Sequence, residues 1–412
     1  MKDMYYSRFL QPSLHPTGSE GRTDHVKRHV ELVLGARQTG KSTLLRHCAG
    51  DGRHTRSINL QDRITRRRYE ADEGLLVREL KAMPDIDTVI IDEIQKVPAL
   101  LDDVQLLFDE NPARFQFHLT GSSARQLKRK SANLLPGRVH SHVLSPVLQA
   151  ERRKAEILPL HMPGGHTFPT RTLEQYLIFG GLPGLYKEDP SDWTDTLSAY
   201  AELYIESEIR QEHVVADMGA FVRFLRLAAL ESGQCVNFSK LASDVGVAAN
   251  TLRNFYQVLE DTYVGIRIQP FARSRKRIIQ APRFLIFDLG VRHVLADLPV
   301  NDALLKLDAG HIFEQWVLLE LYYRARYMGR GYGVSTWSTT SGAEVDAIVE
   351  TPDEAIPVEV KWTGNPSPRD AQHVETFIRL HPTVSRRGYV VCRCPTRQQL
   401  TDNVIALPWN EF

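Results

Sequence analysis

Cysteine is scarce in this chain of 412 residues, with four (Cys48, Cys235, Cys392 and Cys394) at spacings that build no disulfide framework. Cys392 and Cys394 stand too close together for a zinc knuckle, and no obvious partner pair completes one. No run approaches the ~18 apolar residues of a membrane span. The opening residues Met1 to Arg8 lack the apolar core of a secretion signal. Nor does either sign of charge dominate: Lys and Arg number 51 against 50 Asp and Glu. Net charge therefore argues neither for nor against a nucleic-acid partner, and local clusters must carry that question. These absences lead to the expectation of a protein of the reducing cytoplasm with no membrane part. The length suits about two to four domains of roughly 100–200 residues each.

What is present starts with Gly35-Ala-Arg-Gln-Thr-Gly-Lys-Ser42, the pattern G-x-x-x-x-G-K-S. Gly35 and Gly40 allow backbone angles that side chains would block, so successive N–H groups can face a polyphosphate. Lys41 offers a compact positive charge to the β- and γ-phosphates, and the Ser42 hydroxyl can hold Mg²⁺. The apolar Glu31-Leu-Val-Leu34 reads as a strand before the loop. Thr43-Leu-Leu-Arg-His47 opens a helix after it, whose N-terminus favours anions. Gly35, Ala36, Arg37, Gln38, Thr39, Gly40, Lys41, Ser42 and Thr43 are thus the expected cradle for ATP, with Mg²⁺ as cofactor.

Further on, Thr88-Val-Ile-Ile-Asp-Glu93 is an apolar strand ending in two carboxylates. Asp92 can take the Mg²⁺ through water, and Glu93 can polarise the water that attacks the γ-phosphate. Phe115-Gln-Phe-His-Leu-Thr120 is the next strand. Thr120 and Ser122, at its end, either sense the γ-phosphate or cap a helix beginning near Ala124. Arg138 precedes a strand from Val139 to Leu144. It is either an arginine finger for a neighbouring subunit's nucleotide, which would make the protein a homo-oligomer, or a surface residue.

The phosphate loop, Ile91-Asp-Glu-Ile-Gln-Lys-Val-Pro98 and Leu119-Thr-Gly-Ser-Ser123 together resemble the AAA+-type ATPase domain of a widespread prokaryotic family. Its members carry a C-terminal domain similar to restriction endonucleases. The resemblance spans nearly the whole chain. It implies that Asp92 and Glu93 form the acidic Walker B pair and that Arg138 stands where AAA+ arginine fingers stand. In related AAA+ proteins a Gly-x-Pro segment of the helical lid lies against the adenine. Gly181-Leu-Pro183 offers Pro183 for that place, or else simply ends the helix Leu173 to Phe179.

The segment Phe221 to Arg283 has the look of a winged helix: a short helix from Phe238, a Gly246 turn, and a second helix from Ala248 to Leu259. Asn250, Arg253 and Asn254 should face outward, with Leu252, Tyr256 and Leu259 inward. Arg267 and the run Arg273-Ser-Arg-Lys-Arg277 would lie at the wing, in contact with either DNA phosphates or a protein.

In the last third, a long helix is expected over Ala309 to Tyr327. Strict alternation in Ala343-Glu-Val-Asp-Ala-Ile-Val349 puts Glu344 and Asp346 on one face. Likewise Pro357-Val-Glu-Val-Lys-Trp362 pairs Glu359 with Lys361. Asp346 and Glu359 can coordinate Mg²⁺, and Lys361 can orient or deprotonate water for attack on a phosphodiester. Alternatively, this is an exposed sheet face with a Glu–Lys salt bridge. The set resembles the PD-(D/E)xK nuclease core, which implies Glu314 on the preceding helix as a further metal ligand, with Glu320 as the weaker candidate. His373 reads as a surface residue.

The expected architecture is α/β. A three-layer αβα P-loop NTPase core of AAA+ type (residues 1–160) carries a helical lid (161–215). A winged-helix module (216–300) and a restriction-endonuclease-like α/β domain (301–412) follow. Two functions compete: an ATPase whose cycle controls a Mg²⁺-dependent DNA nuclease, or an ATP-dependent switch whose last domain binds DNA or a protein without cutting.

Overall fold

The structure, a computed structural model, describes residues 5–14, 29–49, 54–123, 137–160, 165–204, 215–271 and 281–412. The basic run Arg273 to Arg277, the helix start at Ala124 and residues 205–211 lie outside the described residues. No helix among those described is long and apolar enough to cross a membrane. The chain divides into two compact units, the first reaching to Ser145 and the second built mainly from Pro146 onward.

The sheet of the first unit is parallel, in the order β2-β3-β4-β1-β5. Its strands are β1 (Val30–Leu34), β2 (Thr55–Asn59), β3 (Thr88–Asp92), β4 (Gln116–Gly121) and β5 (Val139–Val143). The helices are α1 (Gln11–Leu14), α2 (Lys41–Cys48), α3 (Arg63–Ala71), α4 (Leu75–Lys81) and α5 (Leu100–Glu110). Every residue of β1 is buried, as a central parallel strand covered on both faces requires. Leu32, Val89, Ile91, Phe117 and Leu119 from three strands share one core with Leu101 and Val104 of α5. Strand order has a direct consequence for chemistry. Because β4 lies between β1 and β3, the end of β4 separates the loop after β1 from the acids that close β3.

Helix α3 has no counterpart in the sequence reading. Its residues Arg63-Ile-Thr-Arg-Arg-Arg-Tyr-Glu-Ala71 bury only Tyr69, so no apolar stripe announces it. The cap supplies the start: Asp62 accepts from the N–H groups of Ile64 and Thr65 at 3.4 and 2.9 Å.

The second unit opens with helices α6 (Leu173–Phe179), α7 (Trp193–Tyr204), α8 (Met218–Leu230), α9 (Phe238–Val245) and α10 (Ala249–Asp261). A Thr172–Gln175 capping box starts α6, and Gly180, at φ 68°, stops it. Gly246, at φ 81°, likewise stops α9. Leu252, Tyr256 and Leu259 of α10 are buried, while Asn250, Arg253 and Asn254 are exposed. The two-stranded antiparallel ladder β6 (Gly265–Ile268) and β7 (Arg283–Ile286) follows, then α11 (Leu289–Leu295). Helix α12 (Ala303–Met328) begins earlier than the sequence spacing predicts, with a break at Asp308 (φ −155°, ψ 47°). It is apolar around most of its circumference and therefore buried.

The final sheet runs β12-β13-β11-β10-β9-β8. Strands β8 (Gly333–Ser338), β9 (Glu344–Glu350) and β10 (Ala355–Lys361) form an antiparallel meander. Helix α13 (Gln372–Leu380) then crosses to β11 (Gly388–Cys392), which is parallel to β10 and to β13 (Val404–Pro408); the short β12 (Gln398–Gln399) edges the sheet. Cys392 and Cys394 are both buried thiols.

Candidate functional site

The loop after β1 is shaped by its glycines. Gly35 sits at φ 143°, and a Cβ there would stand 2.6 Å from the Leu144 carbonyl oxygen. Gly40, at φ 92°, is the residue before α2. Thr39 Oγ1 donates to Ala36 O at 3.0 Å and tightens the turn. Gln38 is exposed at φ 59°, and Thr43 is exposed on α2. Lys41 is buried, and its ammonium donates to Gly35 O at 3.0 Å and to Ala36 O at 2.8 Å, so it is folded over the loop.

Strand order brings the acids to this loop. Ser42 Oγ lies 2.8 Å from each carboxylate oxygen of Asp92, and Thr120 Oγ1 donates to the same carboxylate. Thr120 also accepts from the Glu93 N–H at 2.9 Å. Thr120 therefore ties the end of β4 to both acids. Glu93 occupies the left-handed region (φ 60°, ψ 50°), a conformation that costs a non-glycine residue about 1–3 kcal/mol. The geometry turns its carboxylate into a buried niche where Ser122 Oγ donates at 3.0 Å and Gln95 Nε2 donates as well. Burial alone would raise the Glu93 carboxyl. Lys41, the Gln95 and Ser122 donors and then Arg37 outweigh it, and hold the group below the usual glutamate range. The hard oxygen donors of Ser42 and Asp92, converged at hydrogen-bond distance beside the loop, fit Mg²⁺.

Two contributors escaped the sequence reading. Gln95 carries no motif of its own; only its position two residues after Glu93 places it. Arg8, in a stretch with no pattern, is buried and donates from Nη1 to Thr39 O at 3.0 Å and from Nη2 to Ser145 O at 2.8 Å. It pins the phosphate loop to the segment following β5.

Arg138 lies elsewhere. Its carbonyl accepts from Val30 N–H at 3.0 Å, at the start of parallel β1 and β5. Five strand residues, at about 3.3 Å each, separate it from the Lys41 end of the sheet. Its Nε pairs with Asp109 at 2.6 Å. Pro183 opens a single 3-10 turn, Pro183–Tyr186, in the second unit.

The C-terminal acids also converge. Asp346 on β9 accepts from the Val360 N–H of β10 at 2.8 Å, and Lys361 Nζ pairs with Glu359 at 2.7 Å. Glu359 is buried, while the side chains of Lys361 and Glu344 stay 40% and 53% exposed. Burial first, then Glu314 and Glu359, push the Asp346 carboxyl well above its usual range. Glu359 is raised by burial against the pull of Lys361. Glu314 does not stand free for a metal, because Arg283 donates to it and also to Glu344, the latter at 2.7 Å. Among the described residues no group of three or more His, Cys, Asp or Glu is arranged to hold a metal ion. An arginine, Arg283, thus stands beside Glu314 and Asp346, two of the acids expected to hold a metal. Glu320 belongs to a different structure altogether, a buried pair with Arg324 at 3.2 Å and a hydrogen bond from Gln149 N–H at 2.6 Å. Arg267, expected at the wing against either DNA phosphates or a protein, pairs with Glu260.

Comparison with known proteins matches three segments of the chain. Residues 27–152 match the family model described as AAA domain, which supports a P-loop ATPase assignment for this region. Residues 170–302 and 309–412 match two models described as domains of unknown function, DUF8612 and DUF4143. Uncharacterized proteins of Mycobacterium tuberculosis and Mycobacterium bovis are each 26% identical over 401 residues, covering 93% of this chain and 80% of theirs. An uncharacterized protein of Methanocaldococcus jannaschii is 21% identical over 424 residues, covering 94% of this chain and 85% of its own.

Proposed function

We propose that the chain binds ATP with Mg²⁺ and hydrolyses it, with Ser42 and Asp92 holding the metal and Glu93 acting as the general base. One observation carries this: Ser42 and Asp92 in hydrogen-bond contact, beside a Glu93 kept ionised by Lys41, Gln95 and Ser122. When bound, Mg²⁺ neutralises charge on the phosphate oxygens. Lys41 exchanges the Gly35 and Ala36 carbonyls for the β- and γ-phosphates, and the loop N–H groups face the same anion. Glu93 takes a proton from the attacking water, held in place by Ser122 and Gln95. Thr120 links the acids to the end of β4 and senses the γ-phosphate. Arg138, at the far end of the sheet, acts on the nucleotide of a second subunit in a homo-oligomer. Lys41→Ala tests the core reading by nucleotide binding and phosphate release. Both should be lost, and undiminished turnover would overturn it.

For the second unit, the helices α8 to α10 with the β6–β7 ladder suit a winged-helix module, and the last domain suits a restriction-endonuclease-like fold. Contact with DNA is supported by a cavity of about 520 Å³ lined by Arg152, Arg153, Arg171 and Arg393 with one carboxylate, Glu174. Arg152 and Arg171 are already engaged by Phe168 O, Tyr176 and Gly180 O and Arg393 lies over the Trp362 ring, so the exposed Arg153 is the guanidinium best placed to meet a phosphate. The ATPase cycle would then govern either DNA cleavage or DNA holding. Plasmid cleavage with Mg²⁺ by the intact chain, against Asp346→Ala, separates the two: equal inertness under every nucleotide condition leaves holding.

A further inference from the structure

Arg283 begins β7, yet its side chain reaches into the acids of the following domain. It is 6% exposed and bridges two carboxylates, Glu314 of α12 and Glu344 of β9. Asp346 lies close enough for each to act on the charge of the other. The remaining acids are engaged too: Asp346 by the Val360 N–H, and Glu359 by Lys361. One acid oxygen of the set, Glu359 Oε2, is buried without a hydrogen-bond partner.

A magnesium-like ion requires near-octahedral oxygen ligands at about 2.1 Å and tolerates little displacement of them. Here the third acid of the set spends its oxygen on a planar fork whose second arm reaches a different strand. The fork cannot leave without stranding a buried guanidinium, whose desolvation Glu314 offsets first, followed by Asp346 and Glu344. A divalent cation entering beside it would also meet a fixed positive charge in a poorly solvated niche.

We infer that Arg283 is the resident cation of this carboxylate cluster and excludes a divalent metal from it. The acids fasten β7 to α12 and β9 through that arginine. The inference rests on the nuclease-like reading of the acids, but decides between its two outcomes: as folded, this domain does not carry a metal-dependent cleavage centre. Arg283 is a positioning residue, acting through Glu314 and Glu344.

The test is Mn²⁺ binding to the full chain without nucleotide, followed by the electron-spin signal of free Mn²⁺. An Asp92→Asn background weakens the phosphate-loop site, and the dependence on Asp346 separates any remaining binding there from binding at the acids. The parent should show no saturable site below about 1 mM that depends on Asp346. Arg283→Gln should create one, at least about 10–100-fold tighter than any parent binding, as changes beside a metal site produce. Adding Asp346→Asn to Arg283→Gln should remove it. Parent binding that Asp346→Asn abolishes would overturn the inference, as would a folded Arg283→Gln that gains nothing. If Arg283→Gln fails to fold, Arg283→Ser with Glu344→Gln, which removes one of the stranded charges, is measured the same way. Should neither fold, the parent with and without Asp346→Asn still decides. Cleavage is scored separately: an Arg283→Gln protein that binds Mn²⁺ but leaves plasmid DNA intact upholds the arginine's role and removes the nuclease reading.

Discussion

Ser42 Oγ contacts both oxygens of the Asp92 carboxylate at 2.8 Å, across fifty positions of sequence. The contact joins the first residues of α2 to the end of β3, two strands away from β1. Asp92→Asn should therefore keep the fold but weaken the hold on Mg²⁺. A titration of phosphate release against Mg²⁺ should show a half-saturation shifted upward by at least about tenfold, of the size found for altered metal-site groups.

Glu93→Gln preserves shape and removes the base. Turnover should fall by about 10²–10⁴, the range for loss of a general base, while nucleotide affinity stays near that of the parent. The pH behaviour follows from the lowered Glu93 pKa. A depressed carboxyl contributes stability that is complete above the unfolded value of about 4.3 and is lost as pH falls through the lower folded value. The acid limb of the kcat/KM profile, which reports the free enzyme, should accordingly lie below the ordinary glutamate range. An acid limb near neutrality would contradict the arrangement.

Arg8→Ala removes two hydrogen bonds from the carbonyls of Thr39 and Ser145. Leaving buried acceptors unsatisfied costs about 1–3 kcal/mol each. The expected signature is a lower melting temperature of the ATPase unit together with a raised KM for ATP. A variant that melts as the parent does, with unchanged KM, would show that the N-terminal segment does not support the loop.

Glu320 and Arg324 form a pair buried almost completely within the second unit. Burial is the main cause of the raised Glu320 carboxyl, with Arg324 pulling the other way. Breaking such a pair from one side costs about 3–5 kcal/mol, whereas replacing both members by apolar residues can be neutral. Arg324→Met alone should thus destabilise the unit strongly in urea unfolding, and Glu320→Leu with Arg324→Met should recover much of the loss. Equal stability of all three proteins would show that the pair contributes little.

The phosphate loop was legible because its chemistry is local: two glycines, a lysine and a serine act within one turn, flanked by a strand and a helix. The helix Leu173–Phe179 was legible for the same reason, since its cap, stripe and glycine stop run without a gap from Thr172 to Gly180. Helix α3 was not, because it buries a single side chain and leaves no period to read. Arg8 and Gln95 were missed for another reason. Each is defined by the carbonyl or carboxylate it reaches, and nothing in the neighbouring residues names that partner.

The last domain shows where such reading stops. Alternation along β9 and β10 dictated that Glu344 shares a face with Asp346 and Glu359 with Lys361, because side chains along a strand repeat every second residue. It could not indicate that an arginine 61 positions before Glu344, on a strand of a different sheet, would enter among those acids. The residue order along the chain thus determined the nucleotide cradle and which side chains each strand presents. The reach of Arg283 from β7 to Glu314 and Glu344 decided which cation those acids hold, because charge pairing in a buried niche depends on distances between elements that only the folded chain sets.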